Sequence, residues 1–176
     1  MERESLRVCE PVEKAVFVAT LAIGAALFSR SVVADNASGT ISYQSKSGPI
    51  VVTVKNVYLV TGPDEVSGKP IRRLVFSSAD QSARIKACAA MSCADSGLGE
   101  GMTVDFGVGS RLNYWFVGNA QRIQYSGTAK PEAAKLVADT PRRLAGTLTL
   151  DDSAAGGAKV NIDFDAAVLK EFATAR

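Results

Sequence analysis

From residue 35 onward, apolar and polar residues alternate in short runs, and turn-forming residues separate these runs. Strict alternation is typical of strands with one buried face, and clusters of Gly, Pro, Asn and Ser between such runs mark turns. The pattern predicts an all-β, mainly antiparallel domain: a β sandwich or barrel of about eight short strands. The predicted strands are 39–44, 50–60, 71–77, 102–106, 111–117, 121–128, 144–150 and 158–164.

The longest of these runs, 50–60, contains a break in its alternation. Lys55 and Asn56 place two polar residues next to each other, and Val57 and Leu59 then resume the apolar positions. Because a slip of one residue would turn every later side chain to the other face, we expect a bulge or bend at Asn56.

Two segments are predicted to be helical. Residues 82–90 are rich in Ala, lack Gly and have Ile85 as their single β-branched residue, which favours a short helix. Residues 131–138 are a second candidate, with Pro131 at the first helical position.

The first 34 residues have a different pattern. Residues 15–28 form an uninterrupted apolar run, which as a helix would span about 21 Å, less than the roughly 30 Å hydrocarbon core of a bilayer. Val32 and Ala34 then supply the small residues that precede a signal-peptide cut. We therefore expect a cleaved signal peptide (1–34), a cut between Ala34 and Asp35, and a single periplasmic or secreted β domain (35–176) without a membrane span.

The segment before the apolar run does not fit a typical signal. It carries four Glu against three basic residues, whereas signals usually open with a basic segment. Either the signal is unusual, or the true start lies downstream, for instance at Val12. An uncleaved anchor is the third alternative.

The cysteines support export. With Cys9 removed in the leader, Cys88 and Cys93 remain, separated by four residues, in a chain predicted to reach an oxidising compartment. We interpret them as a structural disulfide at the end of the short helix. Two alternatives stay open: a redox-active pair, although such cysteines usually sit closer together at a helix start, and a soft copper site that includes Met91.

The amino-acid composition restricts the kinds of catalytic and binding site that we expect. The chain has no histidine, the commonest general base and a frequent metal ligand. Its net charge is +2, without the concentrated basic stripe that nucleic-acid binding requires. We predict no catalytic residue, no metal, no cofactor and no nucleic-acid partner.

The aromatic residues of strands 111–117 and 121–128 are the candidate ligand-binding residues. Tyr114 and Phe116 share one strand face and Trp115 takes the other. One face should be core, and the other can present an aromatic side chain beside the neighbouring strand. We name Tyr114, Trp115 and Tyr125 as candidates for a binding platform; the alternative is that a closed sandwich covers both faces.

Carboxylates could support a different function. A glycan hydrolase needs two acids about 5 to 10 Å apart in a cleft, and Asp105, Asp163 and Asp165 are the candidates. Asn161, Asp163 and Asp165 also share one strand face, which could begin a calcium site, although a solvated face explains the same spacing.

Residues 142–172, which include the motif Gly-Thr-Leu-Thr-Leu at 146–150 and Val-Asn-Ile-Asp-Phe at 160–164, resemble the ending of uncharacterised secreted proteins of Gram-negative bacteria. The similarity extends loosely to Gly39-Thr40 and to the Cys88/Cys93 segment. It implies export and a β fold and assigns no functional residue.

The leading hypothesis is a non-enzymatic periplasmic binding or interaction protein for an unknown ligand or envelope protein. The alternatives are a carboxylate-dependent hydrolase of envelope glycans and a small chaperone or inhibitor of an envelope protein.

Overall fold

The computed structural model describes residues 35–107 and 109–176. The predicted leader, residues 1–34, lies outside them, so its cleavage after Ala34 stays a prediction. The described part contains ten strands, β1 to β10 in chain order, and two short helices, α1 and α2. The strands are Asn36–Ser45, Gly48–Val54, Asn56–Pro63, Pro70–Ser77, Gly101–Phe106, Leu112–Gly118, Ile123–Ala129, Ala134–Thr140, Arg143–Asp151 and Ala158–Glu171, and the helices are Ser82–Ala87 and Met91–Ser96.

The strands form one curled sheet with two parts. Sheet A has the order β2-β1-β10-β9-β8, and sheet B has the order β3-β4-β5-β6-β7. Neighbours in both parts are antiparallel, and β10 pairs in parallel with β3 where the parts meet. The prediction of a mainly antiparallel β fold is confirmed.

Strand β10 joins the two parts. Its first two thirds pair with β1 on one side and with β9 on the other, from Lys159 opposite Asp151 to Ala167 opposite Arg143. After an irregularity between Val168 and Lys170, its end pairs with β3. A strand that passes from one sheet into another makes a corner, and this corner turns the inner faces of A and B toward each other.

The inner faces enclose the main core. The rings of Phe76 on β4 and Phe164 on β10 meet edge to face, with centroids 5.6 Å apart across the two sheets. Alternate residues of β5 and β6, among them Met102, Val104 and Phe116, are buried in the same cluster. The predicted alternation is therefore confirmed in these two strands, where every second residue faces the main core.

The predicted bulge at Asn56 has a different form in the structure. Strand β2 ends at Val54 and β3 begins at Asn56, so the run 50–60 is two strands that belong to different sheets. The backbone N–H of Lys55 donates to the carbonyl of Ser77 at 3.1 Å. The two adjacent polar residues mark the passage of the chain from sheet A to sheet B.

The prediction for 131–138 is wrong. Only a 3-10 turn, Pro131–Ala133, is helical, and β8 follows it. In β8, Leu136 packs against the main core while Lys135 and Val137 are exposed. Pairing with β9 and this two-residue period outweigh the helical propensity of alanine.

Both helices lie on the outer face of sheet B and build a second, smaller core. Tyr58, Val60, Val75 and Val117 of the sheet are buried there together with residues of the α1–α2 segment. The prediction of a single helix over 82–90 is corrected, since α1 ends at Ala87 and α2 starts at Met91. No helix in the described ranges is long and apolar enough to cross a membrane.

The α1–α2 segment is fixed at several points. The predicted disulfide is confirmed: Cys88 and Cys93 are bonded, with their Cα atoms 5.5 Å apart. The guanidinium of Arg84 on α1 donates to the carbonyls of Cys93 and Ala94 at 2.7 and 2.8 Å. The backbone N–H of Met91 donates to the carbonyl of Thr174, so the C-terminal segment also holds α2.

Candidate functional site

The helices leave part of the outer face of sheet B uncovered, and a groove of about 440 Å³ lies there beside α2. Two rows of side chains cross the strands in register on this face. The first is Arg73, Asp105, Asn113 and Thr128, and the second is Thr103, Trp115 and Ser126. We call this surface the outer groove. These seven residues line it together with Asp95 of α2, Tyr114 and Gly127.

Arg73 lies at the end of the groove that is next to α2. Its Nε donates to Oδ1 of Asp105 at 2.5 Å, and its Nη2 donates to Oδ2 of the same carboxylate at 2.8 Å. Its Nη1 donates to Oδ2 of Asp95. Because a guanidinium has a rigid planar fork of donors, these three bonds fix its plane and tie α2 to the sheet.

Asp95 is the most perturbed acid of the groove. Burial raises its pKa to about 6, the charge of Arg73 opposes this rise, and the nearby charge of Asp105 adds to it. Its Oδ1 is buried and forms no hydrogen bond within the described residues. Burial disfavours the charged form of Arg73, but hydrogen bonding to Asp105 and the charges of both acids outweigh it and raise the pKa of this guanidinium.

Trp115 forms the aromatic part of the groove. Its side chain is partly exposed, and its buried portion packs against the second core under the helices. Thr103 on β5 and Ser126 on β7 lie directly opposite it on the two neighbouring strands. The indole is therefore held between two hydroxyl side chains on a rigid sheet.

Tyr114 and Tyr125, the other two predicted platform residues, lie on the inner side. Their rings stack with centroids 6.0 Å apart, and both hydroxyls donate to Oδ2 of Asp152, from Tyr125 at 3.2 Å. Burial, followed by the bonded carboxylate of Asp152, raises the pKa of both phenols above the usual range. The three aromatics do not form one platform, because Trp115 faces away from the two tyrosines.

The three predicted acids do not lie in one site either. Asp105 lies in the outer groove, whereas Asp163 and Asp165 lie in a separate depression of about 500 Å³ on sheet A. Asp163 accepts a hydrogen bond from the hydroxyl of Thr147 at 2.8 Å, and Asp165 pairs with Arg143 at 2.6 Å. Residues 35–107 and 109–176 contain no group of three acids or cysteines arranged to hold a metal.

Sequence reasoning missed Arg73 and Asp95. A signal for Arg73 exists, since it shares its strand face with Ile71 and Val75, which are apolar and buried. Because a buried charge is normally paired, a charged residue in an otherwise buried row predicts an opposite charge on the adjacent strand. Nothing local marks Asp95, because its contact with Arg73 depends on where the disulfide-bonded segment folds back onto the sheet.

Comparison of the chain with protein-family models, with curated proteins and with solved structures finds no significant match.

Proposed function

We propose that this protein is an exported, non-enzymatic binding protein and that the outer groove holds its ligand. The observation that carries the proposal is the partly exposed Trp115 among polar side chains on the uncovered part of sheet B. Binding sites commonly combine an aromatic surface with a few fixed polar groups. The predicted leader and the Cys88–Cys93 disulfide support a location in an oxidising compartment.

The hydrogen bonds among the charged groups of the outer groove favour binding over catalysis. Both oxygens of Asp105 accept hydrogen bonds from Arg73, and Arg73 also bonds Asp95. Both carboxylate oxygens of Asp105 are therefore already engaged within the protein. The chain also has no histidine to serve as a general base.

The test uses the fluorescence of Trp115, the only tryptophan of the chain. The domain 35–176 is obtained from the full chain, either after export or by cleavage. It is titrated with chitotetraose, cellotetraose, tetra-alanine, trigalacturonate and inorganic phosphate up to millimolar concentration. We expect at least one probe to change the emission with a saturable curve.

Calorimetry on Trp115→Ala then checks the site, with Tyr125→Phe as the matched control on the inner face. The substitution in the groove should weaken the binding at least about tenfold, and the control should leave it unchanged. The proposal fails if no probe gives a saturable change, or if Trp115→Ala binds as well as the wild type.

Asp95 favours one second candidate, a carboxylate-dependent hydrolase of envelope glycans. A carboxyl group with its pKa raised to about 6 can act as a general acid near neutral pH, and a second carboxylate, Asp105, lies beside it. Release of reducing ends from chitotetraose or purified peptidoglycan, abolished by Asp95→Asn, would establish this activity. A wild-type protein that releases none excludes it for these substrates.

The described surface has no apolar patch that would favour the chaperone or inhibitor alternative. Its exposed large apolar side chains are Val51, Val66 and Val137, which lie on β2, on the β3–β4 loop and on β8. Single apolar residues on separate elements are ordinary for a protein surface.

A further inference from the structure

We infer that the ligand of the outer groove is a neutral oligosaccharide segment of a glycan chain. This inference deepens the function proposed above and rests on it. Four properties of the groove lead to it: its aromatic surface, its unused hydrogen-bonding groups, its charge and its length.

The aromatic surface suits a sugar ring. A pyranose ring has C–H groups on its faces and hydroxyls around its rim, so it can stack on an aromatic ring while its rim stays hydrogen-bonded. The indole of Trp115 offers an apolar face with a polar N–H at its edge. Thr103 and Ser126 lie opposite Trp115 on the two neighbouring strands. Ser126 is exposed and offers its hydroxyl beside the aromatic ring, whereas Thr103 is largely buried.

Unused hydrogen-bonding groups continue along the groove. Asn113 lies in register between Asp105 and Thr128, and its side-chain amide forms no hydrogen bond with the other described residues. An amide offers both donors and acceptors, which matches neighbouring hydroxyls that each donate and accept. Thr128 already accepts a bond from Arg111 at 3.3 Å, so its own hydroxyl proton remains available to a ligand.

The charge of the groove disfavours anionic ligands. Its charged lining consists of one cation, Arg73, and two acids, Asp95 and Asp105. All three hydrogen bonds that the Arg73 guanidinium donates go to these two acids. A phosphate, sulfate or uronate would meet a site that is neutral or negative and whose arginine is already paired, so a neutral ligand is favoured.

The length of the groove suits a chain rather than a single small solute. Its first row runs from β4 to β7, which is three strand spacings or about 14 Å at about 4.8 Å each. β7 is the last strand of sheet B, so no further strand bounds the groove at that end, whereas α2 lies at the other end.

The experiment is isothermal calorimetry of the domain with chitotetraose and cellotetraose, compared with trigalacturonate as an anionic sugar and tetra-alanine as a peptide. The variants are Trp115→Ala, Asn113→Ala and Ser126→Ala, and Thr147→Ala on the outer face of sheet A is the matched control. Circular dichroism checks that each variant is folded. Because Asn113 and Ser126 have no packing role in either core, their variants keep the test valid if Trp115→Ala does not fold.

We expect a neutral oligosaccharide to bind with a millimolar to micromolar dissociation constant. Asn113→Ala and Ser126→Ala should each weaken it roughly threefold to tenfold, the range for one lost hydrogen bond, and Thr147→Ala should not change it. Binding of trigalacturonate or tetra-alanine alone, lost in the groove variants, overturns the assignment of a neutral oligosaccharide and leaves the binding function standing. Absence of binding by all four probes overturns the neutral-oligosaccharide assignment, and absence of binding by inorganic phosphate as well overturns the binding function too.

Discussion

Arg73 on β4 and Asp105 on β5 face each other directly across the two strands and form a two-bond pair, with Nε to Oδ1 at 2.5 Å and Nη2 to Oδ2 at 2.8 Å. Both side chains are mostly buried. A buried ion pair gives little net stability compared with apolar residues, but removal of one partner leaves an uncompensated charge. The pair therefore defines the geometry of the outer groove more than it stabilises the fold.

Removal of this arginine should destabilise the domain strongly. Arg73→Ala leaves Asp95 and Asp105 without their shared cation, and we expect the free energy of unfolding to fall by about 3 to 5 kcal/mol in urea denaturation. The matched control is Arg142→Ala, whose exposed pair with Glu171 should contribute less than about 1 kcal/mol. Equal losses in the two variants would contradict the account.

The pH dependence of stability should reveal Asp95. Because its pKa is raised in the folded protein, the folded state holds the proton more tightly than the unfolded chain does. This group therefore lowers the free energy of unfolding as the pH rises from about 4 to about 6, the range between its ordinary and its raised pKa. Asp95→Asn removes this dependence. Relative to the wild type, the variant should therefore gain about 2 kcal/mol in its free energy of unfolding between about pH 4.5 and 7.5.

Asp64 provides a control of opposite sign. Hydrogen bonds from Ser67 lower the pKa of this partly exposed acid, so Asp64→Asn should lose stability relative to the wild type as the pH rises. The account of Asp95 is wrong if Asp95→Asn shows the same sign as Asp64→Asn.

The ring of Tyr114 should leave no room for a side chain at position 127, so we expect this position to require glycine. A Cβ at position 127 would lie 2.5 Å from the Tyr114 hydroxyl oxygen and 2.8 Å from a ring carbon. The Tyr114 ring is buried and bonded to Asp152, so it cannot move away freely. Gly127→Ala should reduce the free energy of unfolding by about 1 to 3 kcal/mol, as overpacking does. Gly99→Ala, where no atom lies within 4 Å, should leave it nearly unchanged.

Loss of the disulfide should act locally. The bridge closes a small loop, with a sequence separation of 5, and such loops contribute roughly 2 kcal/mol. In the double variant Cys88→Ser/Cys93→Ser, hydrogen exchange should accelerate in α1 and α2, while β1, β9 and β10 should keep their protection. Uniform acceleration over all strands would show that the bridge supports the whole domain.

The sequence predicts what depends on local pattern. Alternation separates the two faces of β5 and β6, and the spacing of Cys88 and Cys93 identifies the disulfide. It does not predict that β10 belongs to two sheets, because strand pairing is decided by contacts between distant residues. For the same reason, the passage from β2 to β3 resembles a bulge, and the segment 134–138 resembles a helix.

In the candidate site, too, the local pattern predicts some features and only the fold shows the others. The period of β6 places Tyr114 and Trp115 on opposite faces, but only the fold reveals which of these faces is covered and by what. The α1–α2 segment covers one part of sheet B and leaves Trp115 at the edge of the uncovered part. Arg73 and Asp95, which are 22 residues apart, meet only because that segment returns to the sheet.

The most direct test of the central claim is a two-dimensional NMR titration of the ¹⁵N-labelled domain with chitotetraose. The account predicts that shift changes concentrate on the outer groove, with the side-chain signals of Trp115 and Asn113 among the largest, and that sheet A stays unchanged. Changes centred on the Asp163–Asp165 depression of sheet A, or spread evenly over the surface, would contradict it.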